Sequence, residues 1–158
     1  MGKTAFIFPG QGAQVCGMGK DFYENTEIGR QVFDRATELL GFSVPELCFE
    51  PNDRLDITEY TQAAMVTTSV AMLKVMEDMG IKADVTAGLS LGEYCALVAS
   101  GVMSVDDAIL TVRRRGIRQL RPARKAAGAS QQSKFQVRAA TKRNLRACRR
   151  RQSQVRRP

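Results

Sequence analysis

The sequence predicts an α/β fold with a mainly parallel sheet. Two short apolar segments, residues 4–8 and 83–87, have the length and composition of buried strands. Apolar residues at three-to-four spacing indicate helices between and after them. The order strand, helices, strand, helix, helix is typical of parallel strands joined by helical crossovers. The 158 residues suit one domain, and no internal repeat is visible.

Each predicted element begins or ends at a residue with a defined backbone preference. The first strand stops at Pro9-Gly10, and a glycine-rich loop follows. Glycine follows each of the first three predicted helices, and Ser104 is expected to cap the fourth. Proline and asparagine residues predict an irregular segment over 43–59. The predicted helices span 28–40, 61–79, 92–100 and residues from 104 onwards.

The net charge of +8 averages two unlike segments. Residues 1–116 carry 10 Lys and Arg and 16 Asp and Glu, whereas residues 117–158 carry 14 Lys and Arg and no acid. Only six of those last 42 residues are Ile, Leu, Val or Phe, which is too few to offset the entropy of ordering. We therefore predict a folded segment over 1–117 and a basic, disordered tail over 118–158.

Composition excludes several classes of site and location. The chain has no histidine, which removes a His-ligated metal and a His general base from within these residues. Its four cysteines are scattered, so neither a disulfide framework nor a zinc cluster is expected. No apolar run approaches the ~18 residues of a membrane helix, and the N-terminus lacks the apolar core of a secretory signal. We expect a cytoplasmic protein with no metal and no membrane contact.

The pentapeptide Gly88-Leu89-Ser90-Leu91-Gly92 fits the Gly-x-Ser-x-Gly pattern of a nucleophile elbow. Such a serine lies at a sharp turn from strand to helix, and the flanking glycines let the chain pass close to its neighbours. Amides at the start of the following helix, that of Leu91 foremost, can bind the oxyanion of a tetrahedral intermediate. The alternative is a serine that caps the helix in a glycine turn.

A second motif, Pro-Gly-Gln-Gly-Ala-Gln over residues 9–14, follows the first strand directly. It lacks the Gly-Lys-Ser/Thr ending of a phosphate loop and the third glycine of a dinucleotide-binding loop. Gln11 lies between two glycines and can offer both a main-chain and a side-chain amide, which suits an oxyanion hole. A flexible loop is the other interpretation.

Four blocks together resemble the malonyl-CoA:acyl-carrier-protein transacylase family. The resemblance covers about residues 1–117, in the family's order and near its spacing. It implies the N-terminal part of an α/β-hydrolase-like acyltransferase large subdomain, into which a small ferredoxin-like subdomain is inserted. It also implies no cofactor, with malonyl-CoA and acyl carrier protein as partners. The blocks are FIFPGQGAQ (6–14), YTQAA (60–64), GLSLGEY (88–94) and VRRRG (112–116).

The resemblance implies roles for five residues. Ser90 matches the acyl-accepting nucleophile, and Gln11 and Leu91 match the positions whose backbone amides form the oxyanion hole. Arg115 matches the arginine that pairs with the malonyl carboxylate, for which a planar guanidinium is well suited. Gln62 matches a residue near the site.

Two departures from the family's pattern affect the expected activity. Leu89 stands where the family often has a histidine that is not the general base. The catalytic histidine itself, which the family carries downstream of the nucleophile, has no counterpart, and the tail does not resemble the family. We therefore expect this chain to be an inactive fragment. On the last helix, Arg113 and Arg114 are expected to be solvated charges.

The abrupt change in composition after about Gly116 suggests the hypothesis of translation out of frame, or a joining error. Sequencing the source DNA across codons 110–125 would test it, and an uninterrupted native frame ending at Pro158 would refute it.

The expected function is transfer of a malonyl group from malonyl-CoA to acyl carrier protein through a malonyl-serine intermediate, as in fatty acid biosynthesis. The alternative is a non-enzymatic binding protein whose basic tail contacts nucleic acid or anionic surfaces. Base stacking needs aromatic side chains and the tail has only Phe135, so nucleic acid is not expected as a partner. A generic serine esterase would share the elbow but would not explain Gln11 and Arg115 together.

Overall fold

The computed structural model describes residues 2–120, which form two strands and six helices. In chain order the elements are β1 (Ala5–Phe8), α1 (Lys20–Asn25), α2 (Glu27–Leu40), α3 (Val44–Phe49), α4 (Thr58–Asp78), β2 (Val85–Gly88), α5 (Gly92–Ala99) and α6 (Val105–Leu120).

The two strands pair in parallel, as the sequence predicts. The register runs from Ala5 opposite Val85 to Phe8 opposite Gly88. Just beyond the pair, the N–H of Leu89 donates to the carbonyl of Phe8 at 3.1 Å. The carboxyl ends of both strands are therefore held side by side, and the two loops that carry the sequence motifs leave the sheet at the same edge.

Helix α4 is the centre of the hydrophobic core. Twelve of its 21 residues are buried, because α2, α5 and α6 all pack against it. The predicted apolar face of this helix is present, and burial extends beyond that face around most of the helix. The largest fully buried apolar side chains of the core come from three helices and the turn before α5: Phe33, Leu73, Ile109 and Leu91. Each such side chain contributes about 1.5–3 kcal/mol through burial.

The helix boundaries confirm most of the predicted starts and stops. Thr26 caps α2 by accepting from the N–H of Gly29 at 3.1 Å, and Gly41 ends the helix with φ 72°. Ser104 caps α6, as expected, by accepting from the N–H of Asp107 at 3.0 Å.

The prediction that residues 43–59 are irregular is wrong for their last two residues, which begin α4, and for their first part. Helix α3 starts there, with Pro45 in its first turn and the side chain of Ser43 accepting from the N–H of Glu46 at 3.2 Å. Proline is tolerated in a first turn because its missing N–H has no partner within the helix there. Helix α1 was also not predicted.

Helix α6 continues through Leu120 and crosses the boundary predicted after residue 117. Residues 118–120 therefore belong to a helix. The rest of the predicted tail, with its expected disorder, lies outside the described residues. Within the part of the chain that the structure covers, no helix is both long and apolar enough to cross a membrane.

Candidate active site

Ser90 occupies a sharp turn between strand and helix. Strand β2 ends at Gly88 and α5 begins at Gly92, so three residues reverse the direction of the chain. Ser90 has φ 55° and is the one non-glycine residue with positive φ among residues 2–120. A non-glycine residue in this region carries strain of about 1–2 kcal/mol. This geometry favours the nucleophile elbow over a helix cap, and no side-chain cap bond is formed at α5.

The glycines of the elbow are required by close backbone contacts. A Cβ on Gly92 would lie 2.5 Å from the carbonyl oxygen of Phe8 and 2.7 Å from that of Pro9. A Cβ on Gly88 would collide with the carbonyl of Gly92. The start of α5 is thus pressed against the end of β1, which holds Ser90 next to the loop that contains Gln11.

Arg115 reaches the elbow from α6. Its Nη2 donates to the Oγ of Ser90 at 2.7 Å, and its Nη1 donates to the Oε1 of Gln62 at 2.8 Å. Helix α6 can come this close to α4 because residue 116 is glycine, where a Cβ would lie 2.6 Å from the Cα of Glu59. The structure therefore brings together three of the predicted site residues, which lie far apart in the sequence.

Gln62 joins the remaining side chains of the site. It is fully buried, and its Nε2 donates to the Oε1 of Gln11 at 3.2 Å and to the Oε1 of Gln119 at 2.6 Å. Gln11 in turn donates from its Nε2 to the Oγ1 of Thr58 at 3.2 Å. Sequence reasoning missed Gln119 and Thr58. The available signal for Gln119 was its position one turn after Arg115 on the same helix face.

The main-chain amides of Gln11 and Leu91 lie on the two loops that leave the carboxyl ends of the strands. Leu91 is buried and immediately precedes α5, so its N–H belongs to the positive end of that helix. Within residues 2–120 neither of these two N–H groups donates to a protein acceptor. No acceptor in this part of the chain therefore competes with an added oxygen for either group.

The expectation of a solvated charge is wrong for Arg113. Its Nη1 lies 3.2 Å from the Oε2 of Glu59, and the two side chains are 20% and 21% exposed. Its guanidinium also lies 4.6 Å from the ring centroid of Tyr60, within the range of a cation–π contact. Arg113 lies on the side of α6 that packs against α4, where it contacts these two residues. Packing therefore buries part of a charged side chain together with the apolar ones. Arg114 is exposed, as expected.

Two cysteine thiols near the core are shielded from reaction. Burial raises the pKa of the Cys48 thiol and of the Cys95 thiol to about 12. Neutral thiols are poor nucleophiles, so neither of these two buried cysteines competes with Ser90 as a nucleophile. The described part of the chain holds no group of three or more side chains arranged to ligate a metal ion.

Comparisons with known proteins match this chain to acyltransferases. A family model described as the acyl transferase domain matches residues 5–156. The malonyl CoA-acyl carrier protein transacylase of Bacillus subtilis (strain 168) is 49% identical over 117 residues, which are 73% of this chain and 37% of that protein. The chain thus spans little more than a third of the length of that relative. The family model extends beyond residue 117, whereas this relative aligns over 117 residues.

Solved structures agree with the sequence matches. The malonyl CoA-acyl carrier protein transacylase of Clostridium perfringens superposes with a TM-score of 0.71 at 45% identity, over 73% of this chain and 37% of that one. An acyl carrier protein S-malonyltransferase from Vibrio cholerae gives a TM-score of 0.70 at 41% identity, over 73% and 39% of the two chains. The family match over almost the whole chain and these structural matches show that the chain belongs to the acyl transferase domain family, among the malonyl CoA-acyl carrier protein transacylases.

Proposed function

We propose that the site of Ser90 and Arg115 serves the transfer of a malonyl group from malonyl-CoA to acyl carrier protein. The observation that carries this proposal is the 2.7 Å contact between the guanidinium of Arg115 and the Oγ of a strained serine. In a malonyl thioester, one CH2 group separates the carboxylate from the reacting carbonyl. A cation beside the nucleophile can therefore hold the carboxylate while the carbonyl meets the serine.

The proposed reaction has two steps at Ser90. In the first, Oγ attacks the thioester carbonyl, a base takes the serine proton, and the C–S bond breaks to release CoA as its thiol. In the second, the phosphopantetheine thiol of acyl carrier protein gives up its proton to the base and attacks the malonyl-serine ester; the C–O bond to Oγ breaks, and Oγ regains a proton from the base. No cofactor takes part in either step. The names of the relatives support these two partners.

The oxyanion of each tetrahedral intermediate would be bound by the main-chain N–H groups of Leu91 and Gln11. Neither group donates to an acceptor among residues 2–120, and Leu91 adds the positive end of α5. Gln62 and Gln11 would hold Arg115 and the loop in place through their side chains.

The 158-residue chain by itself should have negligible turnover. It contains no histidine to take the proton of Ser90, and loss of such a base costs about 10²–10⁴-fold in rate. We therefore propose that this polypeptide is an inactive fragment.

We further propose that residues 1–117 form the N-terminal part of an α/β-hydrolase-like large subdomain. A parallel strand pair that feeds a strand–serine–helix turn supports this architecture. Ile7 is 78% exposed and Val85 43% exposed, as expected of strands that further sheet or helices would cover. A cytoplasmic location and a tail of basic composition after α6, over residues 121–158, complete the proposal. The alternative function, binding of anionic surfaces by the tail, concerns residues outside the described part of the chain.

The experiment is acylation of the chain by malonyl-CoA, with and without added imidazole as an external base. Intact mass and peptide mapping should show one malonyl group on Ser90, formed faster with imidazole. Ser90→Ala should abolish the adduct. The matched control Ser100→Ala should not, because the Oγ of Ser100 donates to the main-chain carbonyl of Leu97 and has no other partner among residues 2–120. An adduct that persists in Ser90→Ala, or no adduct with imidazole, would contradict the proposal.

A further inference from the structure

The side-chain amide of Gln62 has one orientation that satisfies all its neighbours. Its Oε1 faces the cationic Nη1 of Arg115, and its Nε2 faces the Oε1 atoms of Gln11 and Gln119. In the flipped orientation, the NH2 group would meet a guanidinium donor, and the oxygen would meet two oxygens. Gln62 itself is fully buried, so its amide depends on these protein partners for its hydrogen bonds, although Gln11 and Gln119 are exposed.

Gln119 supplies the shorter of the two bonds that hold this orientation, at 2.6 Å against 3.2 Å for Gln11. It lies four residues after Arg115, so both side chains project from the same face of α6. One turn of a single helix thus provides the cation that contacts Ser90 and the acceptor that orients the partner of that cation.

We propose that Gln119 is a positioning residue, which fixes the amide of Gln62 and through it directs Arg115 towards the acyl group on Ser90. The proposal rests on the proposed function for its consequence, since the oriented guanidinium is the one that would bind the malonyl carboxylate. Without the acceptor of Gln119, the Gln62 amide loses one of its two donor contacts, and Arg115 loses a fixed acceptor.

The test uses the 15N-labelled 158-residue chain and two readouts. The first is hydrogen exchange of the Gln62 side-chain NH2 protons, which reports how firmly their acceptors hold this amide group. Gln119→Met keeps the length of the side chain and removes the strong acceptor, so exchange should accelerate about fivefold. Gln119→Glu keeps an acceptor and should retain the slow exchange. The control Arg118→Met changes an exposed neighbour on α6 and should leave exchange unchanged.

The second readout is the dissociation constant of malonate, with neutral acetamide as the probe that lacks a carboxylate. Gln119→Met should weaken malonate binding about fivefold and leave acetamide binding unchanged. If Arg115→Ala leaves malonate binding intact, the proposed carboxylate role of Arg115 fails, while the exchange readout still judges Gln119. The positioning role is refuted if Gln119→Met leaves Gln62 exchange unchanged, or if Gln119→Glu exchanges as fast as Gln119→Met. Thermal midpoints of all variants identify any that fail to fold.

Discussion

Replacing Arg115 by alanine should change which acyl group Ser90 accepts. The substitution removes two charge-assisted hydrogen bonds, at 2.8 Å to Gln62 and 2.7 Å to Ser90. It leaves the buried Oε1 of Gln62 without that partner, which should cost about 1–3 kcal/mol of folding stability. A malonyl carboxylate would also lose its counter-ion.

The expected loss of malonyl transfer in Arg115→Ala depends on how deeply the site is buried. An unpaired charge in a fully buried site costs about 3–5 kcal/mol. Arg115 is half-buried, so water reduces this penalty to about 2–3 kcal/mol, or about 30- to 150-fold in rate. Acetyl transfer brings no charge to the site and should change little beyond the effect on stability. Arg115→Lys should restore malonyl transfer only in part, because an ammonium cannot form two parallel hydrogen bonds with a carboxylate.

The assay is the rate of Ser90 acylation by malonyl-CoA and by acetyl-CoA in the presence of imidazole, measured by intact mass. Arg114→Ala is the matched control, because Arg114 is exposed on the same helix. Arg113 cannot serve as a control, since it is part of an ion pair with Glu59. An equal loss of malonyl and acetyl transfer in Arg115→Ala would show that the residue is structural and would refute its role in specificity.

Three further predictions concern stability. Gly92→Ala should lower the free energy of unfolding by about 3 kcal/mol or more, because its Cβ would lie 2.5 Å from a main-chain oxygen of β1. Chemical denaturation measures this loss, and a value below about 1 kcal/mol would contradict the close approach. Arg113→Ala should lower the free energy of unfolding by about 1 kcal/mol, because it removes the ion pair with Glu59 and the cation–π contact with Tyr60. The control Arg114→Ala should leave stability nearly unchanged. Equal effects of the two substitutions would argue against these contacts. The thiols of Cys48 and Cys95 favour the neutral form when folded, so stability should be full below pH 9.0 and fall as the pH rises towards about 12. The double change to alanine should flatten that alkaline slope of the unfolding free energy, and an unchanged slope would count against burial as its cause.

The sequence was sufficient for the features that depend on local patterns. Strands β1 and β2, helices α2, α4, α5 and α6, and the cap at Ser104 were all predicted from apolar spacing, glycine stops and short polar caps. These signals act between residues a few positions apart, so a single sequence contains them. The parallel pairing also followed, because helices between two strands leave room for a crossover.

The sequence-based prediction of secondary structure failed where tertiary packing outweighs the local preferences of the chain. Helix α3 forms despite its proline, since the first turn tolerates it and the buried Val44 and Leu47 anchor the helix in the core. Composition placed Gln119 in a disordered tail, but α6 continues through it and its side chain reaches Gln62.

The sequence by itself determined which residue types the candidate site offers, because motif spacing and family resemblance predict a site made of Ser90, Arg115, Gln11, Leu91 and Gln62. Only the tertiary structure decided how they meet. The packing of α6 on α4, made possible by a missing side chain at Gly116, places Arg115 against both Ser90 and Gln62. The same packing turns Arg113 towards Glu59 and leaves Arg114 in solvent, although three adjacent arginines are indistinguishable by composition. Their different environments arise because successive residues on a helix point about 100° apart, and only packing determines which direction is buried.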